Sequence, residues 1–329
     1  MGFATKLLNV YFFETPLGGL NMKKKVMVLC LLILLLFTIN FIRHSNDSDL
    51  CLPDLGGVYS ASFEDIDFST EITGMLSDGV IEEVICQEAF VENNYNGEYK
   101  NNLLRWGILR KGFGKTPNAD PGTPELLKKY GARYIGDTSK KEIYLTFDEG
   151  YENGYTSKIL DVLKENNVKA VFFITGPYLS QHQDLVRRMV EEGHIVGNHS
   201  IHHPSLPSVD DKTLEEEIIG LDRAFFEKFG KHMQFLRPPK GEYSERTLAI
   251  TQKLGYTNLF WSFAYDDWYK DKTRGAQYAL DKVMSNLHNG EVMLLHAVSK
   301  DNKEALDMII KGARSKGFEF SDPNKLLED

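Results

Sequence analysis

Tyr144 to Thr156 read YLTFDEGYENGYT. The stretch opens as a buried strand, apolar through Phe147, and then places two adjacent carboxylates, Asp148 and Glu149, where the strand must end. Downstream, short apolar runs recur: AVFFIT, HIVGN, FLRPP, NLFWS, VMLLH and FEF. Between them lie SKILDVLKENN, QDLVRRMVEEG, TLEEEIIGLDRAFFEKFG and NKEALDMIIKGARSKG, with apolar residues at i, i+3 and i+4 spacings that predict amphipathic helices. Strand and helix alternating in this way predict an α/β domain with a parallel sheet, open or closed into a barrel, whose ligands meet the carboxyl ends of the strands.

Polar groups collect at those ends. His199, His202 and His203 follow HIVGN, Arg237 ends FLRPP, Asp266 and Asp267 follow NLFWS, and His296 ends VMLLH. One such residue is usually a solvated loop charge, but recurrence at successive strand ends points to a catalytic rim. His199 and His203 are four apart, so one helical turn would present both imidazoles to one divalent metal ion, with His202 pointing elsewhere.

Upstream the texture differs. The chain has 329 residues, 42% of them apolar and 26% charged, enough for a sizeable core, and its net charge of −9 gives no reason to expect a nucleic-acid partner. Lys23 to Lys25 precede an uncharged run, Val26 to Ile42, and Arg43 follows it. This predicts a signal anchor over residues 22–45 that holds the protein in the membrane with the rest outside, a cleaved signal peptide being the alternative. Residues 1–21 read as an upstream extension or a mis-assigned start, Met22 being the better one. Residues 46–137 read as linker and accessory region. Within them LLRWGILRKG and TPELLKKYGARYIGD are expected to pack as short helices, the second starting at Thr123-Pro124. Of Cys30, Cys51 and Cys86, only the last two could pair outside the cell.

TFDEG, HSIHHP, RPPKG, DDW and LLH, in this order, resemble the motifs of the polysaccharide deacetylases of the NodB-homology type, carbohydrate esterase family 4. The resemblance covers residues 138–329. YGARYIGDTSKKEIYLTFDEGYENGYTSKILDVL and LLHAVSKDN further resemble the muramic-δ-lactam-forming branch, the spore-cortex peptidoglycan N-acetylmuramic acid deacetylases.

The resemblance implies a distorted (β/α) barrel and a divalent metal ion, zinc being the expectation. It implies that Asp148 is the base for the attacking water, His296 the acid for the departing amine, and Arg237 the residue that orients the base. His199 and His203 match metal ligands and Glu149 occupies the third ligand position, where the family commonly has Asp. Asp267 and Trp268 match the segment supporting the site, and an aspartate often found three residues before Asp267 is Ala264 here. Lys240 in RPPKG is the candidate for the lactyl carboxylate of muramic acid. The implied partner is peptidoglycan, as peptide-stripped glycan strands. An N-acetylglucosamine deacetylase of peptidoglycan or chitin-like polymers is one alternative, and a non-catalytic glycan-binding domain is another.

Overall fold

The computed structural model describes residues 97–269 and 272–328, all within the unit Gln87–Asp329. The expected upstream extension, signal anchor and most of the accessory region lie outside the described residues. Among those described, no helix is long and apolar enough to cross a membrane.

Residues 97–137 pack directly on the sheet. Three two-residue strands come first, β1 (Leu104–Arg105), β2 (Ile108–Leu109) and β3 (Asn118–Ala119), followed by helix α1 (Thr123–Lys129). The helix expected at Thr123 is therefore present, while LLRWGILRKG is extended. Tertiary pairing overrides local propensity there: β1 runs antiparallel to β8 (Glu242–Tyr243) and β2 pairs with β3. Trp106 is buried, donating its indole N–H to the Trp261 carbonyl and its backbone N–H to that of Gly241.

The quoted stretch forms the central strand β4 (Glu142–Glu149), followed by α2 (Thr156–Glu165), β5 (Ala170–Ile174), α3 (Gly176–Gln181), α4 (Gln183–Glu191) and β6 (Ile195–Asn198). After α5 (Asp211–Phe229) come β7 (Phe235–Leu236), α6 (Glu245–Lys253), β9 (Thr257–Asn258), α7 (Ala276–Met284), β10 (Glu291–His296), α8 (Lys300–Ser315) and β11 (Glu319–Phe320). The strands lie in the order β10-β4-β5-β6-β7-β9, with β11 against the start of β4, and every pairing in this sheet is parallel. The expected barrel is realised as a curled parallel half-barrel. Its edges meet through an irregular bridge: Ser262 and Phe263 donate to the Val292 carbonyl, and Leu294 donates to that of Phe263.

Period-two alternation decides what each strand residue sees. On β4, Ile143, Leu145 and Phe147 pack under the helices with Phe172, Ile174, Leu160 and Ile309. Tyr144 faces the inside of the curl with Val171, Phe173, Leu259 and Val292, and Thr146 and Asp148 share its side. Glu149 falls on the helix side.

Candidate active site

In register, Asp148 on β4 is the partner of His296 on β10, so two of the expected residues leave adjacent strand ends. Asp148 Oδ1 accepts from Arg237 Nη1 at 2.8 Å, and Oδ2 lies 3.6 Å from His199 Nε2. Arg237 is fully buried, which is tolerable only with its donors satisfied. Its guanidinium also donates to Thr146 Oγ1 and to the carbonyls of Leu259 and Phe260, and lies 4.1 Å from the centre of the Phe173 ring. Gly197 makes room for that ring: a Cβ there would stand 2.6 Å from it. Burial pushes the Asp148 carboxyl up, but Arg237, with His199 and His296, overcomes this and holds it below the ordinary aspartate range. At neutral pH it is an anion.

His296 is shifted the other way. Burial disfavours its charged form, yet Asp267, by charge and hydrogen bond, and then Asp148 outweigh this and raise its pKa above the ordinary value. Asp267 Oδ1 lies 2.7 Å from His296 Nδ1, and Oδ2 accepts the His296 backbone N–H at 2.8 Å. Asn302, buried at the start of α8, donates to Asp267 Oδ2 at 2.6 Å and to the His296 carbonyl, and accepts from the Tyr265 hydroxyl. Trp268, about half exposed, stands edge-on to the His296 ring at 5.7 Å.

His199 and His203 do meet, though not on a helix. Residues 199–203 form a loop in which Ser200 (φ 65) and His203 (φ 58) are left-handed, conformations that non-glycine residues adopt only when their surroundings impose them. The loop is pinned throughout. Ser200 N–H donates to Asn198 Oδ1 and His203 N–H to Ser200 Oγ, while Ile201 is wedged against Gly176 and Gly220. The two Nε2 atoms lie 3.2 Å apart. Two nitrogens at zinc-ligand distance on a tetrahedral ion would be separated by roughly 3.3 Å, so the pair fits a shared divalent cation. His199 Nδ1 lies 2.7 Å from the Arg237 carbonyl, a bond that puts the ring proton on Nδ1 and leaves the Nε2 lone pair inward. Burial holds His199 below the ordinary histidine value, and burial with the neighbouring His199 takes His203 down to about 4, so both are neutral, as ligands must be.

Glu149 is not brought to them. Its side chain is fully buried on the helix side and neither carboxylate oxygen has a hydrogen-bond partner. Burial, then Glu152 and Asp148, push its carboxyl well above the ordinary glutamate range. Among the described residues no group of three or more His, Cys, Asp or Glu is arranged to hold a metal ion.

These residues line a cleft of about 690 Å³, with Asp148, His199, His203 and His296 at its base and Lys240, Trp261 and Trp268 on its walls. Lys240 is left-handed (φ 60), and its loop is buttressed from the accessory side by β1 and by the Arg105–Glu242 ion pair. The Ala264 carbonyl accepts from Arg110, another accessory residue. Three participants escaped the sequence reading: Thr146, Asn302 and Glu217, which holds the strand-end His202. Thr146 was accessible, lying two residues before Asp148 on the same face; Asn302 and Glu217 come from helices with no local sign of their role.

A parallel half-barrel with a buried arginine-held carboxylate, a histidine pair and an aspartate-held histidine at its strand ends defines a class: the chain belongs to the polysaccharide deacetylase family, carbohydrate esterase family 4, whose family model matches residues 135–259. Among its relatives, the peptidoglycan-N-acetylmuramic acid deacetylase of Bacillus subtilis is 42% identical over 228 residues, 69% of this chain and 87% of that protein. A peptidoglycan-N-acetylglucosamine deacetylase of Bacillus cereus is 32% identical over 234 residues, 69% of this chain and 84% of its own. The solved structure of the Bacillus subtilis family 4 carbohydrate esterase PdaA superposes with a TM-score of 0.68 at 41% identity, covering 69% of this chain and 98% of that one.

Proposed function

We propose that this protein is a metal-dependent peptidoglycan N-acetylmuramic acid deacetylase that acts outside the cytoplasmic membrane, on peptide-stripped strands, in the formation of spore-cortex muramic-δ-lactam. The carrying observation is that Asp148 and His296, at paired strand ends, have their proton affinities shifted in opposite directions by Arg237 and Asp267. Two neighbouring groups whose surroundings push them apart in this way are an acid and a base ready for neutral pH. Asp148 removes a proton from the water that attacks the acetamide carbonyl, and His296 gives its proton to the nitrogen as the C–N bond breaks, leaving acetate and a free amine. His199 and His203 would hold the divalent cation, zinc being the expectation, which supplies Lewis-acid polarisation to the reaction.

In muramic acid the freed amine lies near the lactyl carboxyl, and where no peptide blocks it, loss of water closes a six-membered lactam. Lys240 on the cleft wall is the cation suited to the lactyl carboxylate, and Trp268 offers a face to a sugar ring. The basic residues and apolar run of 22–45 support a membrane-anchored or secreted location.

Acetate release and lactam mass should be measured on peptide-stripped peptidoglycan, intact peptidoglycan and N-acetylglucosamine oligomers. The reading expects acetate from muramic residues of stripped strands. Release confined to N-acetylglucosamine would replace it with the glucosamine reading, and binding without release would favour a glycan-binding domain.

A further inference from the structure

Between the two histidines that face each other, His202 turns its ring out into the same cleft. Its side chain is 74% exposed, yet it is not left to rotate. Glu217, from α5 and itself buried, accepts the His202 backbone N–H on Oε2 at 2.7 Å and holds His202 Nδ1 on Oε1 at 2.7 Å. The Glu217 backbone carbonyl also accepts from Ile201. Both oxygens of one buried carboxylate are thus committed to a single residue at the mouth of the cleft. An exposed ion pair contributes little to stability and burying a carboxylate is costly, so stability does not account for the arrangement.

We propose that His202 reads the glycan directly, hydrogen-bonding a sugar hydroxyl through Nε2, and that Glu217 is the positioning residue that fixes this face of the ring. The proposal rests on the glycan-deacetylase reading above. A carboxylate can only accept, so the ring proton that faces Glu217 sits on Nδ1, and Nε2 is the nitrogen turned outward, with no partner among the described residues. Lys240, in the same cleft, can only donate. A site that hydrogen-bonds a substrate hydroxyl discriminates strongly against analogues lacking it, because its own polar group is then left unpaired.

The test uses the metal-loaded enzyme with His202→Ala, Glu217→Gln and the double variant, assayed on stripped muramic glycan and on N-acetylglucosamine oligomers. Glu217→Gln retains an acceptor for the backbone N–H but sets an amide NH₂ against Nδ1, which removes the carboxylate that holds the ring. Each single variant should raise KM about 5-fold or more, with the loss falling on KM rather than kcat and the bound metal unchanged. The double variant should be no worse than His202→Ala, since Glu217 acts through His202. If the wild type deacetylates either glycan and His202→Ala leaves KM unchanged, the inference falls while the deacetylase reading stands. Loss of metal or of kcat in Glu217→Gln, additive to His202→Ala, would reduce Glu217 to a brace for the loop and also overturn it. A wild type that releases acetate from neither glycan refutes the deacetylase reading, and this inference with it.

Discussion

Asp267 grips His296 twice, through Nδ1 on one carboxylate oxygen at 2.7 Å and through the backbone N–H on the other at 2.8 Å. One side chain therefore sets both the position of the imidazole and its affinity for a proton. His296 must be protonated to act as an acid, so activity falls as pH rises through its pKa, which Asp267 raises against the effect of burial. Asp267→Asn should move the alkaline limb of the kcat/KM profile to lower pH and reduce its plateau. A limb that stays in place would assign the titration to another group.

The two reacting groups should fail separately and without unfolding. Asp148→Asn and His296→Ala are each expected to lower acetate release about 100-fold or more. Asp148→Asn keeps an oxygen for the buried Arg237, whereas Asp148→Ala leaves that charge uncompensated and should cost about 3–5 kcal/mol in denaturant unfolding. Near-normal turnover by either of the first two variants would remove its residue from the chemistry.

Glu149 should behave as a buried acid and not as a ligand. Its folded pKa is raised, so its contribution to stability is fully present below the ordinary glutamate value and is lost as pH rises through the folded one. Glu149→Met removes two unpaired oxygens and should stabilise the protein by about 1–3 kcal/mol at neutral pH, with a flatter dependence on pH. It should also keep its metal, which His199→Ala should lose. Metal loss in Glu149→Met, measured by titration, would return Glu149 to the ligand set.

Ile201 links glycine packing to the histidine pair. A Cβ at Gly176 would stand 3.0 Å from the Ile201 backbone oxygen and 2.8 Å from Cγ2, whereas one at Gly220 meets side-chain atoms alone, Cδ1 at 2.7 Å and Cγ1 at 3.9 Å. Gly176→Ala must move the backbone between His199 and His203 and should weaken metal binding about 10-fold or more. Gly220→Ala, answered by a side-chain rotation, should weaken it far less. Equal effects would show that the loop is not held through Ile201.

Lys240→Ala should lower kcat/KM on peptide-free muramic glycans and spare any activity on N-acetylglucosamine oligomers, which lack the lactyl carboxylate. Intact strands, whose peptide removes that charge, should be poor substrates even for the wild type. Equal losses on both sugars would mean that Lys240 reads something common to them.

Much of this was legible in the sequence because it follows from strand periodicity and strand ends. The runs from IYLTF to VMLLH hold strands, except that NLFWS keeps only Asn258 in β9, and Asp148, His199, Arg237 and His296 fall at strand carboxyl ends. What could not be read depends on partners distant along the chain. LLRWGILRKG is extended because Leu104 and Arg105 pair with Tyr243 and Glu242. The histidines meet through a loop with left-handed residues that Asn198, Gly176 and Gly220 brace from three different elements. The placement of Glu149 was within reach: strict alternation after Asp148 sends the next side chain to the other face.

The parallel pairing of β10 along β4 also gives the protein a temporal order. Synthesis runs from the amino end, so β4, β5 and β6 emerge with Asp148, His199 and His203 long before the ribosome reaches His296. A nascent chain halted before Glu291 would own the base and the histidine pair but present one side of β4 as a bare edge, open to pairing with another chain. It would have no proton to give a departing amine. Hydrolytic competence thus arrives with nearly the last strand made, and a prematurely terminated product would be a hazard for aggregation before it could ever be an enzyme.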